Sequence, residues 1–355
     1  MNFFSRHTKL LDSKPRQSGI DIVKACAIFF VVTIHFFLRT GFYQTNIVPA
    51  SMYFETWMRI ALIICVPLFI LATGYIQSHK MPTAGWYKKL LPIIIIYLFY
   101  SILFILFQIF YKGESFDLLK RISDISAFRA DGYSWYVNMF IGLFLLLPFL
   151  NVMFLNLERK HRKALIVTLV VMACLPEFIN NLYNATPFGI PGTSGILVPN
   201  WWTGIYPLAY YFIGAYIKEY QIKFRKALLL LGFVLLSGAL ALITIFVSKS
   251  QVFVNFIGDY GSILILFMAV LFFLLVYDIA IKNKVVAAIM QNISELTLDI
   301  YLCSFLTDAI IYDVFLVKYM KSHHDYFVWF IPIVLTVFGL PFIISNIRKL
   351  ILPVR

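Results

Sequence analysis

Apolar residues in this chain come in runs of about twenty, broken by short segments that carry most of the charge. Ten runs stand out, at residues 18–38, 57–78, 90–111, 134–155, 164–181, 201–217, 227–248, 256–281, 295–317 and 326–347. A helix needs about twenty residues to cross the hydrocarbon layer, and the runs lack the short alternation of outer-membrane strands. The pattern therefore predicts an all-α, polytopic membrane protein with about ten transmembrane helices. Pro176 interrupts the fifth run, and the eighth begins somewhere between Val252 and Gly261.

Basic residues fix the expected orientation. With the N-terminus inside, 20 of the 30 Lys and Arg residues fall in cytoplasmic segments and 8 in external ones, leaving Lys24 and Arg59 within spans. Each inside segment then holds at least two cations, as the positive-inside rule requires, and both termini are cytoplasmic. The expected organisation is a basic tail at 1–17, a membrane domain at 18–347 and a second tail at 348–355. The apolar run after the basic N-terminus is too long for a signal peptide and has no small-residue cleavage site, so it is read as an uncleaved first span.

Composition narrows the class. Hydrophobic residues make up 61% and charged residues only 13% of the 355, too few charges to wet the surface of a soluble domain. The net charge of +13 is scattered between spans rather than gathered in a patch, which argues against a nucleic-acid partner and for the bilayer. Cys26, Cys65, Cys174 and Cys303 all fall within spans, too far apart for a metal motif, and read as free thiols. No metal site is expected. Two external segments exceed what a connection needs: 112–132, which is amphipathic, and 181–202, rich in Gly, Pro and aromatics and ending in Trp201 and Trp202. The second is either an interfacial connector or a stacking surface for a sugar.

Charged groups in hydrocarbon are costly and so point to function. Asp21 and Lys24 lie three residues apart on the first helix and can pair on one face, or simply snorkel. His35 follows Lys24 by eleven residues, which at 3.6 residues per turn returns it to nearly the same face about 16 Å further along. A lone histidine in a span either bonds a neighbouring helix or does chemistry, imidazole being a ready general base near neutral pH. The ninth span carries a polar stripe in which Asp299 and Cys303, and Ser304 and Asp308, are spaced by four; helix pairing is the simpler reading there.

Several motifs in order resemble the acyltransferase-3 family of polytopic membrane acyltransferases. DIVKACAIFFVVTIH places Lys24 where the family more often has arginine, with ten residues between it and His35. VPLFILATGYI resembles the family's VPLFF-x-x-SGY, with Thr73 in the serine position before Gly74 and Tyr75. KKLLPIIIIY is similar to its basic entry to the third helix, and YSWYVNMFIGLFLLLPFL, with Trp135 and Tyr136, to its aromatic segment. YPLAYYFIGAYI resembles its F-x-x-G stretch, and ISELTLDIYLCS its late S-x-x-IYL-x-H segment, with Tyr301 in place but Ser304 where histidine often stands. The resemblance implies transfer of an acyl group, often acetyl, from cytoplasmic acyl-CoA to a hydroxyl of a surface carbohydrate or glycolipid, in the cell membrane, with no bound cofactor. It makes His35 the expected catalytic residue, as general base or acyl acceptor. Lys24, Lys88 and Lys89 would hold the donor's phosphates, with Asp21, Thr73, Tyr75, Trp135 and Tyr301 in support. The rival expectations are a transporter or flippase for a glycan or lipid-linked substrate, and a non-catalytic sensor or scaffold.

Overall fold

The computed structural model describes residues 16–115, 117–185 and 195–354, so most of the N-terminal tail and part of the second external segment lie outside it. Among the described residues every regular element is helical. In chain order these are α1 (Ser18–Arg39), α2 (Ala50–Leu62), α3 (Cys65–Gln77), α4 (Leu90–Phe110), α5 (Leu118–Ser126), α6 (Trp135–Asn156), α7 (Arg159–Leu169), α8 (Leu175–Ala185), α9 (Tyr206–Tyr220), α10 (Lys226–Ser248), α11 (Ile263–Val276), α12 (Lys284–Glu295), α13 (Thr297–Asp308) and α14 (Phe330–Ile351), with shorter turns between them.

Among the described residues eight helical stretches are long and apolar enough to cross a membrane. They match eight of the ten expected runs. The other two, α9 and α11, are helices of 15 and 14 residues, shorter than their runs suggested. In hydrocarbon a backbone amide finds no water, so intrahelical bonding is enforced along each span. The second span starts at Ala50, earlier than the run at 57, and is interrupted at Ile63–Ile64. Pro67 explains the interruption, because its ring collides with the carbonyl four residues back. Pro176 does not end the fifth span. A wider π turn at Val170–Cys174 precedes it, and the helix continues as α8. The amphipathic segment at 112–132 contains α5, whose first turn is capped by the Asp117 carboxylate accepting from the Lys120 amide at 3.1 Å.

The spans differ in depth. In α1 and in the 50–77 stretch 72% of the apolar window is buried, against 28% in the stretches at 84–110, 159–184, 226–248 and 330–351. The first pair is thus the centre of the bundle and the last four are its lipid-facing rim. Two motif glycines explain the tightest crossing. A Cβ on Gly74 would stand 2.0 Å from the Tyr211 carbonyl oxygen, and one on Gly214 would stand 2.1 Å from that of Leu71. Only glycine at both positions lets α3 and α9 touch backbone to backbone. The helix of α14 runs on to Ile351, and Arg348, expected in a tail, turns inward to a two-pronged bond with Asp299 at 2.6 and 2.8 Å.

Candidate active site

His35 sits in the second half of α1, 7% exposed, where α1 meets α13 and the start of α6. Its ring lies against Tyr133, with centroids 3.7 Å apart and planes 24° from parallel. Its Nδ1 stands 3.6 Å from Asp308 Oδ2, the last residue of α13 and itself completely buried. The Tyr133 hydroxyl donates to that same carboxylate oxygen at 2.9 Å, so the tyrosine holds the acid next to the imidazole. Burial and the neighbouring Asp308 charge push the Tyr133 phenol well above its ordinary range, which keeps it a donor. The loop carrying Tyr133 is pinned in turn. Tyr301 donates to the Tyr133 carbonyl at 2.7 Å, and the Asp131 carboxylate accepts from the Tyr133 amide and the Ser134 hydroxyl, each at 2.7 Å. Arg39, one turn beyond His35, places its charge beside Tyr133 and Asp308.

Two polar atoms in this cluster are buried without a hydrogen bond: His35 Nδ1 and Asp308 Oδ1. Buried polar groups are nearly always satisfied, so these two atoms retain capacity for a further hydrogen bond. A π turn, Ala309–Phe315, follows Asp308 directly. Such turns widen a helix and gather at functional sites, and this one shifts the backbone immediately after the acid.

Three cavities succeed one another along α1. The first, about 830 Å³, opens at the N-terminal end of the helix and is rimmed by Arg16, Lys24, Lys80, Lys89 and Lys218 with Asp21 and Glu295. The second, about 250 Å³, shares Lys24 and Ile76 with the first and is otherwise almost wholly apolar and aromatic, including Phe69, Ile93, Tyr136 and Phe140. The third, about 120 Å³, shares Val31, Val66 and Tyr301 with the second and is the one that His35 lines. The basic mouth, the apolar cavity, called the channel below, and the cavity at the imidazole thus lie in order along α1, with Lys24 at the walls of the first two and His35 at the third.

Most of the expected residues line this path, in places their spacing did not settle. Asp21 does not pair with Lys24. Its carboxylate takes a two-pronged bond from Arg16 at 2.7 and 2.8 Å, while Lys24 Nζ donates to the Ser294 carbonyl at 2.5 Å. Lys89 is on the rim of the mouth over the Trp86 ring, whereas Lys88, one residue earlier, is exposed and does not line it. Thr73 lines the channel, but its hydroxyl is spent on the Phe69 carbonyl of its own helix at 2.8 Å. Tyr75 faces the mouth beneath Lys218, and Trp135 stacks on Tyr260 in the wall of the third cavity. Ser304 bonds the Tyr301 carbonyl at 2.7 Å within α13 and lines none of the three cavities. Asp299 is the helix-pairing group its stripe suggested, but Asp308 of the same stripe faces His35. Tyr133, Arg39 and Arg16 had no individual role in the sequence analysis. The signal for Asp308 was its i, i+4 step from Ser304; Tyr133 had none beyond its aromatic neighbourhood. All four cysteines are free thiols.

A family model for an acyltransferase domain matches residues 17–346, nearly the whole chain, and so covers the mouth, the channel and the His35 cluster together. Neither the curated proteins nor the solved structures offer a match.

Proposed function

The chain belongs to the acyltransferase-3 family as a multi-pass membrane protein, and from that membership we propose that it carries an acyl group, acetyl in the simplest case, from cytoplasmic acyl-CoA to a hydroxyl of a surface carbohydrate or glycolipid. In this reading α9 and α11 complete ten spans in the cell membrane, both termini are cytoplasmic, and the basic mouth opens to the cytoplasm. The observation that carries it is the succession of three cavities from the basic mouth to His35.

The chemistry follows from the residues along that path. The five cations of the mouth attract the donor's phosphates, with Lys24 at the neck where the polar and apolar parts of the donor would divide. The pantetheine arm, long and largely uncharged, suits the apolar channel and brings the thioester to the third cavity. There His35 takes the proton of the acceptor hydroxyl as its oxygen attacks the thioester carbonyl. The carbon–sulfur bond breaks, the imidazolium returns the proton to the CoA sulfur, and an ester and free CoA result. Asp308 steadies the positive ring while it exists, and Tyr133 positions Asp308.

The test is release of CoA from acetyl-CoA by the purified protein, and the acetyl content of surface glycans with and without the gene. Release that needs His35, together with loss of glycan acetyl groups, is expected. Movement of a glycan across vesicles without CoA release would instead support the flippase alternative.

A further inference from the structure

The size of the space around His35 limits what can react there. His35 lines the third cavity alone, and that cavity is about 120 Å³, half the channel behind it. An apolar cavity of about 150 Å³ holds one benzene ring, so the space suits about five non-hydrogen atoms. A thioester arriving through the channel keeps its sulfur towards Tyr301 and sends its acyl tail forward into this chamber. The tail then meets Ile34, 4% exposed, Cys65, 1% exposed, and the Trp135–Tyr260 pair, whose rings stack with centroids 5.7 Å apart. Of these walls Ile34 and Cys65 belong to the packed interior and do not yield without repacking. Leu38 and Trp135 are substantially exposed at the remaining side, and that opening must stay free for the acceptor oxygen. Carbonyl, methyl and acceptor oxygen fill most of the chamber; one further methylene fits, and more do not.

We infer that the chamber bounded by Ile34, Cys65 and the Trp135–Tyr260 pair gauges acyl length and restricts the donor to acetyl and propionyl groups. The inference rests on the donor reading above. Its test is CoA release by the purified full-length protein from acetyl-, propionyl-, butyryl-, hexanoyl- and octanoyl-CoA. Each methylene that a pocket must reject is worth about tenfold or more. The expected result is a drop of at least about tenfold in kcat/KM from propionyl to butyryl, and a further drop at hexanoyl. Ile34→Ala should raise the butyryl-to-acetyl ratio by about tenfold, and the milder Ile34→Val, which spares the fold if the larger change does not, by less. Leu229→Ala, an equally buried change outside the chamber, should leave the ratio where it was. Equal use of acetyl and octanoyl donors, or Ile34 variants that leave the ratio unmoved, would overturn the gauge while the donor reading stands. No release from any donor above the His35→Gln background would remove the donor reading and this inference with it.

Discussion

Two histidines in this protein, His35 and His323, are both buried and both stand beside a carboxylate from another helix, yet they are in opposite conditions. His323 Nε2 meets Glu55 at 2.5 Å and Nδ1 meets the Thr40 hydroxyl at 2.9 Å, so both ring nitrogens are engaged. Aromatic rings of Phe36 and Phe42 close around it, and it lines none of the cavities along α1. His35 approaches Asp308 only to 3.6 Å, leaves Nδ1 unbonded and faces a cavity. Burial and a carboxylate neighbour therefore do not distinguish His35 from His323. Unused hydrogen-bonding capacity beside open space does, because a satisfied ring must break bonds before it can accept a proton.

The contrast is breakable by substitution. His35→Gln should bring acyl transfer down by about 10²–10⁴-fold while the thermal midpoint in detergent stays put, since the amide loses the base but keeps most of the volume. Asp308→Asn should cost about 10²-fold in kcat and leave KM for acyl-CoA unchanged. Lys24→Ala should raise KM for acyl-CoA by about tenfold, Lys24→Arg by less, because the arginine keeps the charge at the neck. Glu55→Gln should have the smallest effect on turnover per folded molecule and the largest on stability, about 3–5 kcal/mol, because it breaks a fully buried pair. Thermal melting and turnover measured on the same preparation check it. If Glu55→Gln silenced turnover without destabilising, or His35→Gln destabilised without silencing it, the distinction between the two histidines would fall.

The path could be read from the sequence unevenly, and the reason lies in rotation and distance. His35 and Lys24 share a face of one helix, and a helix's geometry is local, so their alignment followed from spacing alone. Lys88 and Lys89 were indistinguishable in sequence, but successive residues point about 100° apart, and only Lys89 turns into the mouth. Asp308 was one of several acids in spans, with nothing local to separate it from Asp299. The partner across the bundle separates them: Arg348 from α14 takes Asp299, while α1 brings the imidazole to Asp308. Tyr133 lies in a connection almost a hundred residues from His35, and its ring contact belongs to the packing of separate elements.

By itself, the sequence determined the membrane-helical class, the order of most spans, the family motifs and the alignment of Lys24 with His35 on one helix face. Hydropathy and helical periodicity are properties of contiguous residues, and contiguous residues are what a sequence displays. The tertiary structure alone decided which acid stands by His35, which of Lys88 and Lys89 lines the mouth, and how much space lies beside the imidazole. Those depend on which faces of distant helices meet, set here by glycine contacts such as Gly74 on Tyr211 and Gly214 on Leu71 that bring backbones within van der Waals reach.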